Sequence, residues 1–157
     1  MDRIRKNDAA RGKTDRPNRA NKESMPQKEK PKDFGGYPFV VNIEEATRRN
    51  TAFRRALWTG SLLQLTLMSI PAGGEIGIEN HPHTDQFLRI EQGRGRVVTG
   101  SRRDALGSEK FVGPGSAIFI PAGTWHNLIN IGRGPLKLYS IYAPPNHPKG
   151  TLEQTKK

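Results

Sequence analysis

Gly115-Ser116-Ala117-Ile118-Phe119-Ile120-Pro121-Ala122-Gly123-Thr124-Trp125-His126-Asn127-Leu128-Ile129-Asn130 is the most informative stretch of the chain. Residues 117–120 and 125–131 are short apolar or alternating runs, and Pro121-Ala122-Gly123 between them supplies turn chemistry, so the stretch reads as strand, turn, strand. On the second strand His126, Leu128 and Asn130 share one face. A second polar-rich stretch lies upstream, from Gly73-Gly74-Glu75-Ile76-Gly77-Ile78-Glu79-Asn80-His81-Pro82-His83-Thr84-Asp85-Gln86 to Gly93. There Glu79 and His81, two residues apart, leave the same face of an extended segment. Gln86 heads the row Gln86, Leu88, Ile90, an amide leading apolar side chains.

The same pattern extends in both directions. Runs at 62–70, 75–81, 87–91, 96–99, 110–112 and 136–143 are each closed by Gly or Pro, and no helical period appears after residue 57. Many short strands with turn residues between them predict an all-β sandwich or barrel. Upstream, Phe34-Gly35-Gly36-Tyr37-Pro38 reads as a hinge and 39–43 as a short strand. Residues 44–55 read as a helix, acidic at its start and arginine-rich at its end, which suits the helix dipole. The expected organisation is therefore a basic tail over 1–33, one domain over 34–150 and a polar C-terminal tail over 151–157.

Composition supports that division. The chain has 157 residues, a formal net charge of +11 and no cysteine. One domain of ordinary size is expected, and disulfides, thiolate catalysis and iron–sulfur or zinc-finger sites are excluded. Residues 1–33 hold 11 Lys/Arg and 6 Asp/Glu but only 6 apolar residues, too few to offset the entropy of ordering, so this tail is expected to be disordered. It lacks the interleaved aromatics that stack on bases, and no nucleic-acid partner is expected, although Arg48, Arg49, Arg54 and Arg55 add to the basic surface. The start of the chain has no secretory h-region and no apolar run is long enough for a bilayer. A soluble cytoplasmic protein without a membrane partner is expected.

The two polar stretches together resemble the cupin superfamily. Its second motif is Gly, five residues, Pro-x-Gly, two residues, His, three residues, Asn, and Gly115, Pro121, Gly123, His126 and Asn130 match each position. Its first motif places His-x-His and then Glu between two glycines. With Gly73 and Gly93 as anchors those positions fall on Glu79, His81 and Gln86, so Glu replaces the first His and Gln replaces the Glu. The likeness covers about residues 60–145. It implies a single jelly-roll β-barrel with a short N-terminal helix, and a metal site formed by Glu79, His81, Gln86 and His126.

Burying those four polar groups in an apolar barrel is costly unless they are satisfied, and one cation would satisfy all of them. Two imidazoles, a carboxylate and an amide suit a divalent transition metal: Fe, Mn, Ni, Co or Zn. With three imidazoles as the usual set, weaker binding is expected here. A competing register takes His81-Pro82-His83 as the His-x-His pair, and a further alternative is a barrel whose site no longer holds metal. The resemblance implies a metal-dependent enzyme, an isomerase, lyase or dioxygenase, acting on a small polar substrate such as a carbohydrate or sugar acid. His83 is the candidate proton shuttle, since imidazole titrates near neutrality. The other reading is a ligand-binding or regulatory cupin whose basic tail contacts an anionic partner. A homodimer is expected in either case. Phe87, Phe119, Trp125, Tyr139 and Tyr142 read as core, dimer contact or substrate wall, and His147 as a surface residue.

Overall fold

The computed structural model describes residues 32–157. One helix, α1 (Ile43–Arg49), precedes nine strands: β1 (Arg54–Thr59), β2 (Gln64–Ile70), β3 (Asp85–Gln92), β4 (Gly95–Gly100), β5 (Ser108–Val112), β6 (Ala117–Ile120), β7 (Trp125–Asn130), β8 (Leu136–Ala143) and β9 (Leu152–Glu153). Six form one antiparallel sheet in the order β6-β3-β8-β2-β1-β9, and β5-β4-β7 form the other. The all-β jelly-roll expectation is met, and no described helix is long and apolar enough to cross a membrane.

Register explains where the core sits. Leu88, Ser140 and Thr66 lie side by side across β3, β8 and β2, as do Ile90, Leu138 and Met68. Cross-strand neighbours share a face; all six side chains are buried, and Leu88, Ile90, Leu138 and Met68 join Ile118 of β6 in one core cluster with Leu128 and Val97 of the other sheet. The row at the other end is polar: Gln86, Tyr142 and Gln64 are paired neighbours, each buried. The interior is therefore apolar at one end and polar at the other.

Four local expectations need correction. Residues 39–43 form no strand: the Phe39 ring stacks on Phe34 at 4.3 Å, and the Asn42 side chain caps α1 by accepting from the Glu45 N–H. The helix is seven residues long and does not reach 55. It stops because the Asn50 side chain bonds the Ala52 backbone and the Lys137 ammonium donates to the Arg48 and Asn50 carbonyls, which turns Arg54 and Arg55 into β1. Residues 75–81 run extended alongside β7 but join it only through isolated bridges at Glu75–Ile129 and Glu79–His126. The polar segment after residue 150 is not a free tail. It supplies β9, whose Glu153 pairs with Arg54 at 2.9 Å.

The expected tail over 1–33 lies outside the described residues as far as residue 31. Asp33 belongs to the fold. Its carboxylate accepts from the Thr59 hydroxyl at 2.6 Å and from the Gly35, Thr59 and Gly150 N–H groups. Burial pushes this carboxyl up, but those hydrogen bonds outweigh it and hold the group below its ordinary value.

Candidate metal centre

The centre is assembled by backbone before any side chain meets another. Glu79 and His126 exchange two N–H···O bonds, at 2.9 and 3.0 Å, which places both side chains on one face of the paired segments. The turn between β6 and β7 is then fastened to the upstream arm. The Gly123 N–H donates to the His81 carbonyl, the Asn80 amide donates to the Gly123 carbonyl and the Ala122 N–H donates to Asp85. Gly123 holds φ +82°, a left-handed value that glycine adopts without strain.

Three of the four expected ligands converge as a result. Glu79, His81 and His126 present donor atoms that all lie within 4.8 Å of one another. The Nε2 atoms of both imidazoles stand 3.3 Å from the same oxygen, Glu79 Oε1. The His126 Nδ1–H donates to the Thr124 carbonyl at 2.9 Å, so in the neutral ring the lone pair is on Nε2. Buried Nε2 has no hydrogen-bond partner among the described residues, its approach to Glu79 not being aligned as a hydrogen bond. In the neutral ring that lone pair faces a carboxylate oxygen, a repulsion that either a proton or a metal cation between them removes.

Gln86, the fourth expected ligand, stands on β3. Its amide nitrogen donates to the Ser140 hydroxyl at 3.0 Å, while buried Oε1 is unsatisfied. The four unpartnered buried side-chain atoms among the described residues are Arg54 Nε, Thr66 Oγ1, Gln86 Oε1 and His126 Nε2, so two of the four belong to expected ligands. Burial pushes the Glu79 carboxyl up, yet the two imidazoles against it more than offset this and hold it at about 2. Glu79 is therefore an anion throughout the neutral range.

The donor chemistry fits a divalent transition ion. Two ligand atoms about 2.1 Å from a shared ion and about 90–110° apart are themselves about 3.0–3.4 Å apart, and the two N···O separations of 3.3 Å fall in that interval. The Nδ1–H···O=C bond of His126 is the kind of outer contact that fixes the tautomer of a metal-binding imidazole.

His83 is placed differently. It is exposed on the turn before β3, outside the cluster of three, so the His81–His83 pairing is not the one the chain brings together. His147, expected at the surface, is half-buried. Its ring sits edge-on to Tyr142 at 5.1 Å, and Tyr142 in turn contacts the His81 ring at 5.6 Å. Burial, with Arg54 adding to it, pushes the His147 imidazole down to about 4. Its backbone is held by the Gln64 side chain at both N–H and carbonyl, a long-range contact with no local sequence signal. Asn130, the last motif residue, donates to the Ile70 and Gly134 carbonyls and accepts from the Gly132 N–H, which makes it scaffold.

This fold and cluster define a cupin. The cupin-domain family profile matches residues 66–142. The chain is 62% identical over 125 residues to YrkC, an uncharacterised protein of Bacillus subtilis, covering 80% of this chain and 67% of the relative. It is 41% identical over 116 residues to the uncharacterised protein L612 of Acanthamoeba polyphaga mimivirus, covering 73% and 71%. The crystal structure of BH2720 from Bacillus halodurans, 63% identical, superposes with a TM-score of 0.77 over 78% of this chain and 92% of that one. The chain belongs to the cupin family.

Proposed function

We propose that this chain is a metal-dependent cupin enzyme acting on a small polar substrate of the carbohydrate or sugar-acid kind. In this reading Glu79, His81 and His126 hold the ion with the Gln86 amide oxygen as fourth ligand, and Fe, Mn, Ni, Co or Zn all suit the set. When bound, the ion supplies a Lewis acid that polarises a substrate carbonyl or hydroxyl oxygen. The chain's own residues do the positioning. Thr124 holds the His126 ring at Nδ1, Ser140 engages the Gln86 amide nitrogen and leaves its oxygen free, and the single carboxylate leaves a divalent centre with net positive charge for an oxygen donor.

The observation that carries the reading is the meeting of two imidazole nitrogens on one carboxylate oxygen, one of them buried and without a hydrogen bond. Elemental analysis of protein purified without a histidine tag tests it. Near-stoichiometric transition metal is expected in wild type and His83→Ala, with loss in Glu79→Ala and Gln86→Ala. Less than about a tenth of an equivalent in wild type rejects the reading, given the affinities of protein metal sites.

A further inference from the structure

The two sheets do not close on each other at one seam. There the edge strands β5 and β6 face across a cavity of about 470 Å³, bounded by Val97, Thr99, Lys110, Val112, Ile118 and Ile120 among others. That volume suits a small molecule. Register connects it to the metal centre on both flanks. Thr99 is the cross-strand neighbour of His126, and Ile120 that of Gln86. The two ligand atoms left without partners, His126 Nε2 and Gln86 Oε1, thus belong to residues next to the cavity wall.

The wall is apolar inside, where Val97, Ile118 and Ile120 are buried. Its one charged side chain is Lys110. Lys110 pairs with Val97 across the β4–β5 ladder, which puts its side chain on the inward face of β5, although it remains solvent-exposed. No described carboxylate pairs with it, and the adjacent Glu109 is bound to Arg96 at 2.8 Å. By regular sheet dimensions the Lys110 backbone is two strand spacings and two residues from that of His126, about 12 Å, and the lysine stem covers part of that distance.

We propose that the seam between β5 and β6 is the substrate's seat and that the substrate is a carboxylate. Lys110 receives the carboxylate at the rim, the apolar wall receives the body, and an oxygen at the far end faces Glu79, His81, Gln86 and His126. This rests on the metal reading above and narrows its substrate class. An uncompensated ammonium and a centre of net positive charge at opposite ends of one cavity both favour an anion.

Binding of a matched pair of probes, 4-oxopentanoate and its neutral amide, tests the assignment. Each is titrated by NMR into full-length, metal-analysed wild type, Lys110→Met and Lys110→Arg. Wild type is expected to bind the carboxylate at least tenfold more tightly than the amide, with the preference abolished in Lys110→Met, retained in Lys110→Arg and metal content unchanged throughout. Equal binding of the two probes, binding of neither, or a preference that survives Lys110→Met overturns the proposal and leaves Lys110 as a charge guarding an edge strand. A lysine-dependent preference in metal-free wild type removes the metal reading alone. Metal without a preference removes this proposal alone.

Discussion

Gln86→Met separates a ligand from a merely buried amide, because the two roles predict opposite signs. The substitution nearly conserves volume, so little packing change is expected. In the metal-free protein it removes an unsatisfied buried carbonyl oxygen, which relieves about 1–3 kcal/mol. It also removes the bond from Nε2 to Ser140, which costs about 1 kcal/mol. The chelated variant should therefore be as stable as chelated wild type or more stable by up to about 2 kcal/mol. With metal in excess the order reverses. Losing one ligand of four is expected to weaken binding at least tenfold, and ligand linkage passes this to stability as about 1.4 kcal/mol or more. Guanidinium denaturation of both proteins, with chelator and with excess metal, gives the four midpoints. A variant less stable than wild type by more than about 1 kcal/mol under chelation would show that Oε1 is satisfied without metal. Equal metal-induced stabilisation in the two proteins would show that Gln86 is not a ligand.

The remaining expectations follow from the same contacts. The Glu79 carboxyl, held at about 2 against an ordinary 4.5, contributes stability that is complete above pH 4.5 and is lost as pH falls toward 2. At 1.36 kcal/mol per pH unit this amounts to about 3 kcal/mol. Chelated wild type should lose that much more than Glu79→Gln between about pH 5 and pH 2, and parallel acid-stability curves would contradict the assignment. On the outer face of the six-stranded sheet, Phe119 is 74% exposed beside Phe87 at 5.1 Å, with Tyr139 beyond. We propose that a homodimer covers this row of rings. Sedimentation should show a dimer that Phe119→Asp converts to a monomer of unchanged metal content, and a monomeric wild type would refute it.

What was legible in the sequence depended on whether a feature repeats locally. The turns at Gly93, Gly115 and Gly123 take positive φ, and glycine at fixed spacing announces them. The inward row Gln86, Leu88, Ile90 shows as a period of two in burial. β1 is hard to read in the sequence because Arg54 and Arg55 begin it, and the carboxylate that pairs with Arg54 is Glu153, 99 residues away. The end of α1 has one local signal, the Asn50 side chain on Ala52, and one distant one, Lys137, while His147 is held by Gln64. Glu153, Lys137 and Gln64 all lie outside a sequence window of the residues they hold. The motif itself mixes two kinds of position. Asn130 and His126 match it equally well, since scaffold and ligand both require a fixed place on β7. Every polar atom of the Asn130 side chain is engaged by backbone, whereas His126 keeps one buried nitrogen unengaged. That remaining valence separates a ligand from a strut, and it depends on partners brought in by other strands.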